Sequence, residues 1–118
     1  MRPLLTAAIV ASTLCAPSLA AGASYAPLAC SKASSPAEHA ICRTYSLGQA
    51  EARMATLFGI ATSLVAMGQR GDIHDEQAQW LKTREACGGD TACLTDAYEA
   101  RIGELNKVID DIASHGPY

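Results

Sequence analysis

The chain has 118 residues, with 9 Lys/Arg against 12 Asp/Glu and a formal net charge of −3. No basic stripe is present, so the electrostatic attraction that supplies most nucleic-acid affinity has the wrong sign, and nucleic acid is set aside as a partner. With one Trp, one Phe and four Tyr, a single domain's core must be assembled from Leu, Ile, Val, Met and Ala, and a domain this small is marginal without cross-links.

The first twenty residues read as a cleaved export signal: Arg2 gives a short positive start, Leu4 to Leu14 an uncharged apolar run, and Ser18-Leu19-Ala20 the small residues a signal peptidase accepts. The apolar run is about half the length needed to cross a bilayer and Pro17 breaks its end, so no membrane span is expected after cleavage. Cys15 follows an apolar stretch, as a lipidated cysteine does. Leu14 is too large for the position before it, which argues against a lipoprotein. Cleavage near Ala20 removes Cys15 and leaves Cys30, Cys42, Cys87 and Cys93, an even set in a periplasmic or secreted chain.

Residues 21–33 are rich in Ala, Gly, Ser and Pro and read as an irregular lead-in. Order starts at Ser35-Pro36-Ala37-Glu38, which combines an N-cap serine, a proline at the first helical position and a glutamate three residues after the cap. A short helix from Pro36 to about Thr44 follows. Leu47, Ala50, Met54, Leu57, Ala61 and Leu64 then recur at helical spacing, with Phe58 and Val65 widening the stripe. Met67-Gly68-Gln69-Arg70-Gly71 offers a stop and a turn, and Asp72 opens the next helix over about 73–86. That helix places Ile73, Gln77, Trp80, Leu81 and Arg84 on one face and ends at Gly88-Gly89. Asp90 or Thr91 caps the last helix, where Leu94, Tyr98, Arg101, Leu105, Val108 and Ile112 share a face; His115-Gly116-Pro117 closes it. No segment alternates with period two. The expected fold is all-α: a small disulfide-stapled antiparallel bundle of one short and three longer helices, spanning 34–115, with a tail at 116–118.

The four cysteines lack the closely spaced pairs of a zinc knuckle and the C-x-x-C of a redox centre, so two disulfides are expected and neither metal nor cofactor is. Three connectivities are open. The Gly-Gly-Asp turn favours Cys87–Cys93, which leaves Cys30–Cys42 to pin the lead-in on the first helix. Trp80 and Arg84 are four apart, so the guanidinium can lie over the indole; the pair reads as core or as a partner contact. The turn containing Arg70, Asp72 and His74 is the other candidate contact. His39, His74 and His115 fall in different elements with no triad motif, and Glu51, Glu85 and Glu99 read as solvated helix residues, so no enzyme is expected.

Glu38-x-x-Ile41-Cys42, Gln77-x-x-Trp80-Leu81-x-x-Arg84-x-x-Cys87 and Cys93-Leu94-x-x-x-Tyr98-x-x-Arg101-Ile102-x-x-Leu105 together resemble the LprI-type lysozyme inhibitor family of bacterial envelope proteins. The resemblance covers about residues 30–107. It departs from the family pattern at Ala50-Glu51 and Phe58, where members often carry Leu-Asp and a tyrosine. The resemblance implies a helical fold and binding to a c-type lysozyme outside the cytoplasm. It brings no inhibitory residue set with it. The alternative is an envelope interaction module with another partner and no effect on lysozyme. The oligomeric state is open.

Overall fold

The computed structural model describes residues 27–115; the export-signal reading of residues 1–20 and the tail at 116–118 lie outside them. The described residues form an all-α bundle with no strand: a single 3-10 turn at Cys30–Lys32, then α1 (Pro36–Arg43), α2 (Tyr45–Leu64), α3 (Met67–Ala86) and α4 (Thr91–Ser114). One short and three longer helices were expected, and that is the architecture. Consecutive long helices run antiparallel, because α3 contacts α2 and α4 in reverse register: Arg70 reaches Thr62 and Gln77 reaches Met54, while Trp80 meets Ala97 and Cys87 joins Cys93. The outer pair, α2 and α4, is therefore parallel. Through Glu38, α1 meets Arg84 at the end where α2 begins and α3 finishes.

Local chemistry fixes the helix ends. Ser35 caps α1 in a full capping box, its hydroxyl accepting from the Glu38 amide while the Glu38 carboxylate accepts from the amides of Ser34 and Ser35. Those two backbone donors hold the Glu38 carboxyl below its ordinary range. Asp90, rather than Thr91, caps α4 by accepting from the amides of Ala92 and Cys93. Gly88 sits at φ +56° in the turn that ends α3, a conformation glycine adopts without penalty. That turn brings Cys87 and Cys93 together with Cα atoms 5.5 Å apart, and Cys30–Cys42 pins the lead-in to α1 with Cα atoms 5.7 Å apart. On the chain-entropy model each short loop contributes about 2–3 kcal/mol.

Two expectations are corrected. The stretch 67–72 is not a turn: α3 starts at Met67, and the chain reverses in two extended residues, Val65 and Ala66. The reason is a cap borrowed from the next helix. Arg70 Nε donates to the Thr62 carbonyl at 2.7 Å and its Nη2 to the Val65 carbonyl at 3.3 Å, so a cation satisfies the end of α2 where no glycine stands. Second, the core stripe of α2 is rotated by one residue. It runs Leu47, Glu51, Met54, Phe58, Ala61, Val65, all buried, whereas Ala50 and Leu57 are half-buried and Leu64 is exposed. Elsewhere the buried stripes fall as expected, on Ile73, Gln77, Trp80 and Arg84 of α3 and on Leu94, Tyr98, Arg101 and Leu105 of α4, while Leu81, Val108 and Ile112 are half-buried.

Replacing Arg70 with Ala removes the cap of α2. We expect a loss of about 1 kcal/mol in urea unfolding, with helical content nearly unchanged.

Candidate functional site

The buried face of α3 is unusually polar, and this polarity organises the interior. Arg84 is 5 % exposed and Glu51 of α2 3 %; Arg84 Nη1 lies 3.5 Å from Glu51 Oε2. The same carboxylate oxygen accepts from the Tyr98 hydroxyl of α4 at 2.5 Å, and Oε1 accepts from the Leu28 amide of the lead-in at 3.1 Å. Arg84 also donates to Glu85 at 2.8 Å and lies 4.0 Å from Glu38 of α1. One ion pair thus gathers groups from the lead-in and all four helices. Taking each ion out of water costs several kcal/mol, recovered only when the remaining lone pairs and protons find partners. Among the described residues no buried side-chain nitrogen or oxygen lacks a hydrogen bond.

The aromatic residues close this cluster. The Trp80 indole donates to the Ala97 carbonyl at 2.9 Å and meets the Tyr98 ring edge-on at 5.1 Å, with the Arg84 guanidinium 5.8 Å from its centroid. The expected Trp80–Arg84 stack therefore forms, and of the two readings of the pair it is the core one that the burial bears out. Burial, followed by the hydrogen bond and negative charge of Glu51, pushes the Tyr98 hydroxyl far above the ordinary tyrosine range.

A second polar layer lies about two turns along. Arg101 of α4, 1 % exposed, donates to Gln77 Oε1 at 2.9 Å and to the Ile73 carbonyl at 3.2 Å. Its Nη1 donates to Glu104 at 2.9 Å and to Glu76 at 3.4 Å. Those two carboxylates stand at the surface, with side chains 59 % and 61 % exposed. They flank a groove of about 670 Å³ between α3 and α4, floored by Trp80, Ala97, Ala100 and Val108.

The residues proposed from sequence do not converge. Arg70 is engaged in capping α2. Asp72 and His74 are exposed on α3, but positions two apart on a helix point to different sides, and the His74 ring sits edge-on against Phe58 at 5.0 Å. Asp72 and Arg84 are separated by about 18 Å along the axis, at 1.5 Å per residue. Trp80 and Arg84 come together but belong to the interior. Sequence reasoning also placed Glu51 on a solvated face, and the structure puts it in the core because Tyr98, Leu28 and Arg84 supply partners there. A signal was available: Glu51 continues Leu47, Met54 and Phe58 at steps of four, three and four.

Arg84→Ala strands Glu51 as a buried ion, and we expect about 3–5 kcal/mol of destabilisation by denaturant unfolding. For Tyr98 the folded-state hydroxyl holds its proton above the unfolded value of about 10. Its contribution is complete below that pH and is lost as pH rises above it, because the unfolded chain ionises first. Stability should therefore fall above pH 10 in the wild type, and the fall should be shallower in Tyr98→Phe.

No family model, curated protein or solved structure matches the chain, so what the site can do is argued from its own geometry.

Proposed function

We propose that the chain is an exported bacterial envelope protein that binds and inhibits a c-type lysozyme without catalysing a reaction. The observation that carries the reading is the spatial contiguity of the residues behind the family resemblance. Glu38 meets Arg84, Arg84 covers Trp80, Trp80 packs on Tyr98, and Cys87 is bonded to Cys93. A motif spread over residues 38–105 of the sequence has its Glu38, Trp80, Arg84 and Tyr98 in one cluster in the fold, as a shared scaffold requires. The two disulfides suit an oxidising compartment, in line with the leader read at residues 1–20.

Animal c-type lysozymes are strongly basic, and a chain of formal net charge −3 is steered toward such a partner by its field. Lysozyme holds two carboxyl groups in its cleft, which a cation from an inhibitor would suit. Arg70, in the stretch read as a candidate contact, could supply such a cation only by leaving the end of α2, and its engagement there shifts the reading from a plug toward an acidic docking face. If lysozyme is not the partner, the same scaffold serves as an envelope interaction module.

The test is a titration of oxidised residues 21–118 into a c-type lysozyme cleaving bacterial cell wall, with reduced and alkylated protein beside it. Dose-dependent inhibition by the oxidised form alone is expected. A folded, oxidised sample that leaves the rate unchanged would refute the lysozyme reading.

A further inference from the structure

We infer that the outer face of α2 is the surface on which two copies of this chain pair, antiparallel, across a two-fold axis at Thr56. Among the described residues four large hydrophobic side chains stand exposed, Tyr45, Ile60, Leu64 and Met67, and all four lie on α2 or just past its end. Tyr45 and Met67, at the two ends, are 83 % and 85 % exposed. Between them Gln49, Ala52, Thr56, Ile60 and Ser63 recur at helical steps and form one exposed stripe, opposite the buried face of Leu47, Glu51, Met54 and Phe58.

Charge selects a second copy as the occupant. Copies of a chain with formal net charge −3 repel one another and approach best where acids are absent. The acid of α2, Glu51, is buried, and from Met54 to Gln69 no residue is charged. A basic partner finds no carboxylate on this stripe. An acidic partner finds only Arg53, which lines a hollow together with Glu99 of α4.

The face also complements itself. With the axis at Thr56, Ile60 fills the hole between Gln49, Ala52, Arg53 and Thr56 of the second copy, Gly59 lies against its Ala52, and Tyr45 stands beside its Met67. A Cβ on Gly59 would meet nothing within 4 Å in the chain's own fold. The bundle therefore does not ask for this glycine, which costs about 1 kcal/mol against alanine inside a helix, whereas two closely approaching helices do. The Thr56 and Ser63 hydroxyls donate to the Ala52 and Ile60 carbonyls of their own helix at 2.9 and 2.8 Å, so covering the stripe strands neither donor. From Tyr45 to Ser63 the stripe runs about 27 Å, a contact at the small end of specific interfaces, and the dimer dissociates on dilution.

The test is sedimentation equilibrium of oxidised residues 21–118 from micromolar to millimolar concentration, with circular dichroism to show that each variant is folded. A monomer–dimer equilibrium is expected. Thr56→Arg sets two cations together at the axis and should weaken the dimer by about tenfold or more, as should Ile60→Glu beside it; Ala100→Arg, at an exposed position on α4, should leave it unchanged. Under mild oxidation Thr56→Cys should link two copies. Ile60→Cys should not, because the two copies of that position lie about 12 Å apart along the helices, beyond disulfide reach. The inference is overturned if the protein is monomeric throughout the range, if Thr56→Arg leaves the equilibrium unchanged, or if Ala100→Arg is the variant that dissociates the dimer. Linking of Ile60→Cys as readily as Thr56→Cys would also overturn it, since that result belongs to parallel pairing.

Discussion

The rest of the structure depends on the burial of one ion pair, Glu51 with Arg84. A carboxylate and a guanidinium are tolerated at 3 % and 5 % exposure only if their hydrogen-bonding capacity is taken up, and the groups that take it up come from separate elements. Leu28 is in the lead-in, Glu38 in α1, Glu85 in α3 and Tyr98 in α4. The network is complete only when all of them are docked in one register, so a slipped bundle would leave a buried charge uncompensated. An apolar core of Leu, Ala and Met would pack comparably in neighbouring registers. In this small bundle the charged pair, with the Arg101–Gln77 layer and the Cys87–Cys93 link, favours one of them.

The same constraint explains α3. Its inward face consists of Ile73, Gln77, Trp80 and Arg84, too little apolar surface to hold a twenty-residue helix in place by burial alone. What holds it is polar and directional: Gln77 to Arg101 and to the Met54 sulfur, Trp80 to the Ala97 carbonyl, Arg84 to Glu51. The disulfides act on its C-terminal end and on the lead-in, where the fold begins to draw in the Leu28 amide. Cys30–Cys42 keeps that amide within reach of Glu51, so the staple and the ion pair support each other.

The helices were legible because their signals are local. Ser35-Pro36-Ala37-Glu38 writes a capping box, and Cys87-Gly88-Gly89-Asp90 writes a stop, a left-handed residue and a cap. The stripe of α4 is buried from Leu94 to Leu105 because its one charged member, Arg101, was read in its place among apolar neighbours; Val108 and Ile112 beyond it are half-buried. Two features were not legible, for physical reasons. The end of α2 is set by Arg70 reaching back from the following helix, so Gly68 and Gly71, which look like terminators, fall inside α3. Glu51 lies squarely on the buried face, but an acid is assigned to water unless its partners are known, and they lie 23 to 47 residues away. Dropping it from the stripe turned the expected face of α2 by one residue and brought Leu64 inward when it faces out.

Buried motif residues and the exposed rim of the α3/α4 groove separate in this fold, and Arg101 joins them. Trp80, Arg84 and Tyr98, which make the sequence pattern recognisable, are largely interior, so the pattern specifies a scaffold; of the three, Trp80 alone lines the groove between α3 and α4. Arg101 is equally buried, yet its Nη1 reaches the surface carboxylates of Glu76 and Glu104. A core position thereby sets the geometry of two carboxylates at the surface. Long glutamate side chains would otherwise lose about 1–2 kcal/mol of rotamer freedom each on binding. Anchoring them from beneath moves that cost into folding, where the disulfides and the Glu51–Arg84 network offset it.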